Sequence, residues 1–191
     1  MTVFVGFASI GLFENKFSPA RLNQIPTSKM SQLFEGDKPT KQFSMQYTLK
    51  RLIDIDPMLC AEMKKRCYAI NGCCATVHRE LGPFLNEYMY QEALQILLDE
   101  NKIPYEREYY FSIMYHGKQI QHKHFVDFLV DGDIIVECKA AEKLVSEHRQ
   151  QLWNYMRLMG RPIGILYNFA PPMDQAEHYY LDTEKGIMYM F

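Results

Sequence analysis

The sequence has no Cys-x-x-Cys pair, a single tryptophan, and no apolar run approaching the roughly 18–20 residues that a membrane helix needs. Its five cysteines, Cys60, Cys67, Cys73, Cys74 and Cys138, are odd in number and lack zinc-ligand spacing. Neither a disulfide framework nor a zinc site is expected, and reduced thiols point to a cytoplasmic protein. Charge of one sign is also lacking: 21 Lys and Arg against 23 Asp and Glu give a net charge of −2. That balance excludes the basic footprint of a protein that coats duplex nucleic acid. It does not exclude an enzyme whose acidic site takes up a divalent cation before it meets phosphate. Met1 to Phe13 is apolar but has no positively charged start and no small-residue cleavage pattern, so neither a secretory signal nor a membrane association is expected. No internal repeat or low-complexity tract is present.

What is there suits a folded domain: 191 residues, 48% hydrophobic and 14% aromatic. Residues 1–60 carry scattered Gly, Pro, Ser and Lys without a sustained period. They are read as an N-terminal extension of unassigned role, with the domain proper at 61–191. From Met63 onward periodic segments follow closely. Apolar residues at helical spacing predict a helix over 64–79, broken at Leu81-Gly82-Pro83, and a second over 86–101. Strands are expected at 105–115, 124–130 and 134–139, then a helix over 141–159, a buried strand at 162–169 and a terminal hairpin.

The segment from His124 to Lys139 carries the chemistry. Alternation puts Glu137 and Lys139 on one face of their strand and Cys138 on the other. Asp127 lies on the preceding strand. Charged side chains inside apolar strands are unfavourable unless paired or liganded, so three of them together call for a reason. Register decides whether they meet. A two-residue turn, Asp131-Gly132, would set Asp127 against Val136; a turn of Asp131 to Asp133, or one bulge, would set it against Glu137. In that second register two carboxylates and a backbone carbonyl, that of Cys138, can hold Mg²⁺ or Mn²⁺, since such ions prefer hard oxygen ligands. Lys139 could then orient or deprotonate water, or neutralise the charge that develops on phosphorus.

The ordered set of residues around this segment resembles a known family. Gly72-Cys-Cys-Ala-Thr-Val-His78-Arg-Glu-Leu81-Gly82-Pro83 and Glu87-x-x-Tyr90-Gln-Glu92-Ala93-Leu94 are followed by Asp127, Glu137-Cys-Lys139-Ala, Glu142-Lys143-Leu144, His148, Gln151-Leu152, Tyr155 and Gly164-Ile-Leu-Tyr-Asn168-Phe169. Together they resemble the bacterial GxxExxY protein family, a branch of the PD-(D/E)XK nuclease superfamily, over residues 64–170. The chain departs from that pattern in three places. Phe84 stands at the first glycine, Gln91 stands where Glu is frequent, and Cys138 is the middle residue of the Glu-x-Lys.

The resemblance implies an α/β fold: a restriction-endonuclease-like three-layer core with a central mixed β-sheet flanked by helices. It also implies metal-dependent phosphodiester cleavage, with Mg²⁺ or Mn²⁺ as cofactor and nucleic acid, DNA first, as partner. The expected metal ligands are Asp127, Glu137, the Cys138 carbonyl and Glu87, with Glu92 and His78 as further candidates. Glu92 lies about 140° around the helix from Glu87, so one of the two should face the site and the other should not. Lys139 is the expected catalytic residue. Gln151 and Tyr155, four apart on one helical face, resemble the Gln and Tyr that follow the metal-binding strand in bacterial recombination-repair helicase–nucleases. A catalytically inactive nucleic-acid-binding or regulatory module on the same fold, and a homo-oligomer or a subunit of a repair or defence complex, are the competing expectations.

Overall fold

The structure is a computed structural model that describes residues 49–173 and 175–191. Residues 1–48, most of the expected extension together with the apolar start, lie outside the described residues.

The elements in chain order are β1 (Lys50–Arg51), α1 (Leu52–Ile55), α2 (Pro57–Leu81), α3 (Glu87–Glu100), β2 (Tyr105–Phe111), β3 (Met114–Tyr115), β4 (Lys118–Gln119), β5 (His124–Val130), β6 (Ile134–Lys139), α4 (Ser146–Met159), β7 (Ile163–Asn168), β8 (Gln175–Asp182) and β9 (Ile187–Met190). Seven strands form one mixed sheet in the order β1-β9-β8-β7-β6-β5-β2. The β6–β7 and β1–β9 pairs are parallel and the others antiparallel. Helices α2 and α3 cover one face through Met63, Cys67, Ile70, Tyr90, Leu94 and Leu98. Helix α4 covers the other through Leu152 and Met156. This is the three-layer, restriction-endonuclease-like α/β core. All five cysteines are buried, and no two of them are joined by a disulfide. Among the described residues no helix is long and apolar enough to cross a membrane.

Helix α2 starts at Pro57, one turn and more before the periodic stretch at 64. Asp56 caps it by accepting the Leu59 N–H at 2.9 Å, and proline suits the first helical turn because its missing N–H would find no partner there. The expected strand 105–115 is interrupted after Phe111, and its distal part forms the small β3–β4 hairpin, whose tip His116-Gly117 has positive φ at both residues. Helix α4 begins at Ser146 rather than 141. Its close approach to the sheet depends on Gly164, where an added Cβ would lie 2.5 Å from Met156 Sδ and 3.0 Å from Leu152 Cδ1.

The turn joining β5 and β6 sets the register. Asp131 and Gly132 have φ of 50° and 73°, and Asp133 closes a three-residue turn. Arg66 on α2 fixes it from outside, with Nη2 at 2.7 and 2.8 Å from the two Asp133 carboxylate oxygens. The pairs are therefore Val130↔Ile134, Leu129↔Ile135 and Phe128↔Val136. One step further along the same diagonal, Asp127 lies across from Glu137.

Candidate active site

Beyond Phe128 the alternation of β5 breaks. Phe128 and Val130 pack on the α2–α3 side, whereas Val126 packs with Leu129 on the α4 side. In a regular strand 126 and 128 would share a face. On the neighbouring strand Tyr105 lies on the α2–α3 side while Tyr109 and Phe111 lie on the α4 side, although all three have the same parity. Both strands turn over at one level, at Asp127 and at Glu108, which lies between the pairs Arg107↔Phe128 and Tyr109↔Val126. Glu108 is exposed and has φ 49°, a left-handed conformation that L side chains rarely adopt.

The reversal turns the Asp127 carboxylate toward β6. Its Oδ2 accepts the backbone N–H of Cys138 at 2.7 Å, so a side chain takes the place of the next backbone rung. In a β-strand the N–H and C=O of one residue point to the same side. The Cys138 carbonyl therefore faces the Asp127 gap, while the next carbonyl, that of Lys139, turns the other way and accepts the Phe169 N–H at 2.8 Å.

Glu137 is 1% exposed. Its Oε2 accepts a hydrogen bond from Lys139 Nζ at 3.2 Å, and its Oε1 is buried without a hydrogen-bond partner. Burial first, and then the neighbouring Asp127 charge, push the Glu137 carboxyl up to about 8, against the opposing pull of Lys139 and of the Asp127 backbone amide. Burial likewise raises Asp127 to about 6, opposed by Lys139, the Cys138 amide and Arg107. Desolvation would lower Lys139, but the charges of Glu137, Asp127 and Glu87 outweigh it and hold the ammonium protonated. A buried and a half-buried carboxyl group that resist ionisation together, the buried one with an orphaned oxygen, fit a hard cation. Among the described residues no group of three or more His, Cys, Asp or Glu is spaced to hold a metal. Further oxygen ligands would have to come from the Cys138 carbonyl and from water.

Two helices frame this pair. Asn86 caps α3 by accepting the Met89 N–H at 3.0 Å, which puts Glu87 in the first turn. Its Oε1 lies 3.9 Å from Lys139 Nζ. Three residues on, Tyr90 donates to the Gly82 carbonyl at 2.7 Å, accepts the Leu85 N–H at 3.2 Å and stacks on Phe169 at 4.9 Å. The Glu-x-x-Tyr spacing thus lets one residue reach the site while the other ties down the loop before the helix. Glu92, about 140° further around the helix, is exposed. His78 is engaged elsewhere, its Nε2 being 2.7 Å from the Pro171 carbonyl oxygen.

From the other face α4 offers His148, Gln151 and Tyr155. Gln151 Nε2 donates to the Tyr155 hydroxyl at 3.3 Å, and the Tyr155 ring packs edge-on to Phe111 and near His124 at the outer strands. His148 Nδ1 accepts the Val145 N–H at 3.4 Å, which leaves Nε2 as the protonated nitrogen of the neutral ring. Burial, and then the Lys139 charge, lower its basicity.

Three supporting residues were given no role from the sequence, although Asn168 stands in the family-like pattern. Asn168, fully buried, accepts the Ala141 N–H at 3.0 Å and donates to the Ala141 carbonyl at 2.8 Å, holding the chain as it leaves β6. Arg107 donates to Gln95 at 2.7 Å, and its Nε and Nη2 are buried without hydrogen-bond partners. A cation at the same strand parity as Tyr105 and Tyr109 was the available signal for Arg107. Glu108 carried none, because positive φ at a glutamate leaves no trace in composition.

The family model described as the PD-(D/E)XK nuclease superfamily matches residues 64–179. No curated protein matches the chain. A solved structure titled "Crystal structure of SSO0001" matches with 23% identity and a TM-score of 0.41, covering 53% of this chain and 54% of that one. The chain thus spans about half the length of that solved structure.

Proposed function

This chain belongs to the PD-(D/E)XK nuclease superfamily, and from that premise we propose that it is a metal-dependent phosphodiesterase acting on DNA, within the superfamily one of the GxxExxY proteins. The observation that carries the reading is the pairing of half-buried Asp127 with buried Glu137, whose Oε1 has no hydrogen-bond partner, beside Lys139.

Asp127, Glu137 and the Cys138 carbonyl would hold Mg²⁺ or Mn²⁺, with Glu87 at the outer edge of the site. When bound, such an ion supplies Lewis-acid polarisation of the phosphodiester and a water of lowered pKa. Lys139 orients that water and offsets the negative charge that grows on the phosphoryl oxygens. Its ammonium is already held among three carboxylates, so it needs little reorganisation. Gln151 and Tyr155, joined to each other, position the strand from the α4 side. His148 presents its Nε2–H from the same helix.

The purified full chain should cut DNA in Mg²⁺ or Mn²⁺ and not in chelator. Asp127→Ala and Lys139→Ala should fold and lose cleavage by about 10²–10⁴-fold. Equal residual cleavage in all three would mean a contaminant and would end the proposal. A silent binding module is the second reading, favoured by the lack of a third acidic or imidazole ligand among the described residues. It predicts no divalent-ion binding that Glu137→Ala abolishes.

A further inference from the structure

Phe84 is 93% exposed and has φ 77°. Its ring is left in water while its backbone occupies the region that favours glycine, two unfavourable features at one residue. It is also the position where the GxxExxY pattern has its first glycine. Nothing in the packing accounts for the ring, and an outlier of this kind beside a site is a reason to look for a ligand.

Other exposed rings stand on α3, β2 and β5, the elements that carry or adjoin the site residues. Tyr88, 55% exposed, has the Arg107 guanidinium 4.7 Å from its ring centroid, so one face is held and the rest is open. Tyr110 and Phe125, 42% and 47% exposed, pair across β2 and β5 with centroids 5.6 Å apart. Phe84 and Tyr88 flank Glu87 along the chain, and Phe125 precedes Asp127 by two residues on its strand. Two exposed rings therefore flank Glu87 at the start of α3, and two stand on β2 and β5 next to the level at which both strands turn over. Lys123, exposed, leads into β5, and Lys143, exposed, follows β6. The net charge of −2 gives the chain no general attraction for a polyanion, so affinity has to come from local contacts.

We propose that these rings are a stacking platform for unpaired bases, and that the strand entering the site is single-stranded nucleic acid. This rests on the reading of the acidic pair as a phosphodiesterase centre. In a duplex the base faces are already stacked and only edges reach the grooves. Exposed flat rings beside a phosphate-handling site match bases whose faces are free. Stacking uses the π-face that all bases share, so tolerance of sequence goes with it.

The test is fluorescence anisotropy of the full chain in chelator, with a labelled oligothymidylate and a duplex of equal length. The single strand should bind at least about tenfold more tightly, and Phe84→Gly and Tyr88→Leu should each weaken it by roughly tenfold, with Tyr88→Phe restoring it. Phe84→Gly suits the backbone and Tyr88→Leu suits a helix, so neither should unfold below the wild-type midpoint. The inference is overturned by equal or tighter duplex binding, by undetectable single-strand binding, or by variants that bind like wild type. It is equally overturned if these substitutions only dissolve a dimer of the chain. Cleavage in Mn²⁺ separates the two readings. A chain that cuts duplex alone keeps the proposed function and loses this inference. One that binds strands through these rings but cuts nothing loses the catalytic reading instead.

Discussion

Asp127 Oδ2 accepts the backbone N–H of Cys138 at 2.7 Å, so a carboxylate serves as a rung between β5 and β6 just where the backbone ladder ends. One oxygen is committed to the strand and the other remains for a ligand. The same contact turns the Cys138 carbonyl into the gap beside Glu137. Structure and site are built from one bond, which makes their contributions separable by substitution.

Asp127→Asn keeps an oxygen for the Cys138 amide and removes one of two neighbouring, mutually repelling charges. It should raise the stability of the metal-free protein, by about 1–2 kcal/mol if one such repulsion is relieved, and abolish divalent-ion binding. Urea unfolding in chelator and calorimetric titration with Mn²⁺ check the two halves. A variant that is less stable and still binds the ion would contradict the arrangement.

The pH dependence follows from the sign of the Glu137 shift. Its folded value, about 8, lies above the ordinary 4.5, so the stability it contributes is present at low pH and is lost as pH rises through about 8. Asp127, raised to about 6 from 3.8, acts in the same sense at lower pH. Between pH 6.5 and 8.5 the metal-free chain should lose thermal stability, and Glu137→Gln should flatten that loss. Saturating Mn²⁺ should reverse it, because the ion stabilises the ionised pair. An unchanged slope in Glu137→Gln would place the titration elsewhere.

Glu108 tests whether the paired reversal of β2 and β5 is what aims Asp127. Glycine suits φ 49°, so Glu108→Gly should gain roughly 0.5–1 kcal/mol with the site intact. Glu108→Val, β-branched and ill-suited to positive φ, should lose about 1–3 kcal/mol and weaken Mn²⁺ binding as well. Equal Mn²⁺ affinity in both variants would separate the reversal from the site.

Much of this was legible in the sequence because local signals agreed with tertiary needs. Asp131-Gly132-Asp133 announced a turn, and parity then restricted Asp127 to two partners, between which the Arg66-clamped three-residue turn chooses Glu137. Asn86 and the Glu87–Tyr90 spacing likewise mark a helix start facing the site. The misses share a cause. Helix α2 begins seven residues early because Asp56-Pro57 is a cap that acts before any apolar period is visible. Residues 141–145 read as helix, yet Asn168, distant in sequence, captures both backbone groups of Ala141 and delays the helix.

Asn168 also carries a consequence for stability. Asn168→Ala removes the Ala141 contacts and leaves buried backbone groups unpaired, so a loss of about 2–4 kcal/mol is expected. Asn168→Asp keeps the acceptor for the Ala141 N–H but sets a carboxylate against the Ala141 carbonyl, and should be no better than Ala. Urea unfolding of both variants decides. A loss under about 0.5 kcal/mol would show that the connection holds without its pin.

Where a divalent ion sits decides whether the acidic pair is a metal centre. Crystals of the full chain grown with Mn²⁺ should show one anomalous peak between the Asp127 and Glu137 carboxylates, with the Cys138 carbonyl as a ligand and Lys139 Nζ nearby but not bound to it. A peak held by other residues, or no peak with Asp127 still seated on the Cys138 amide and Lys139 on Glu137, would contradict it.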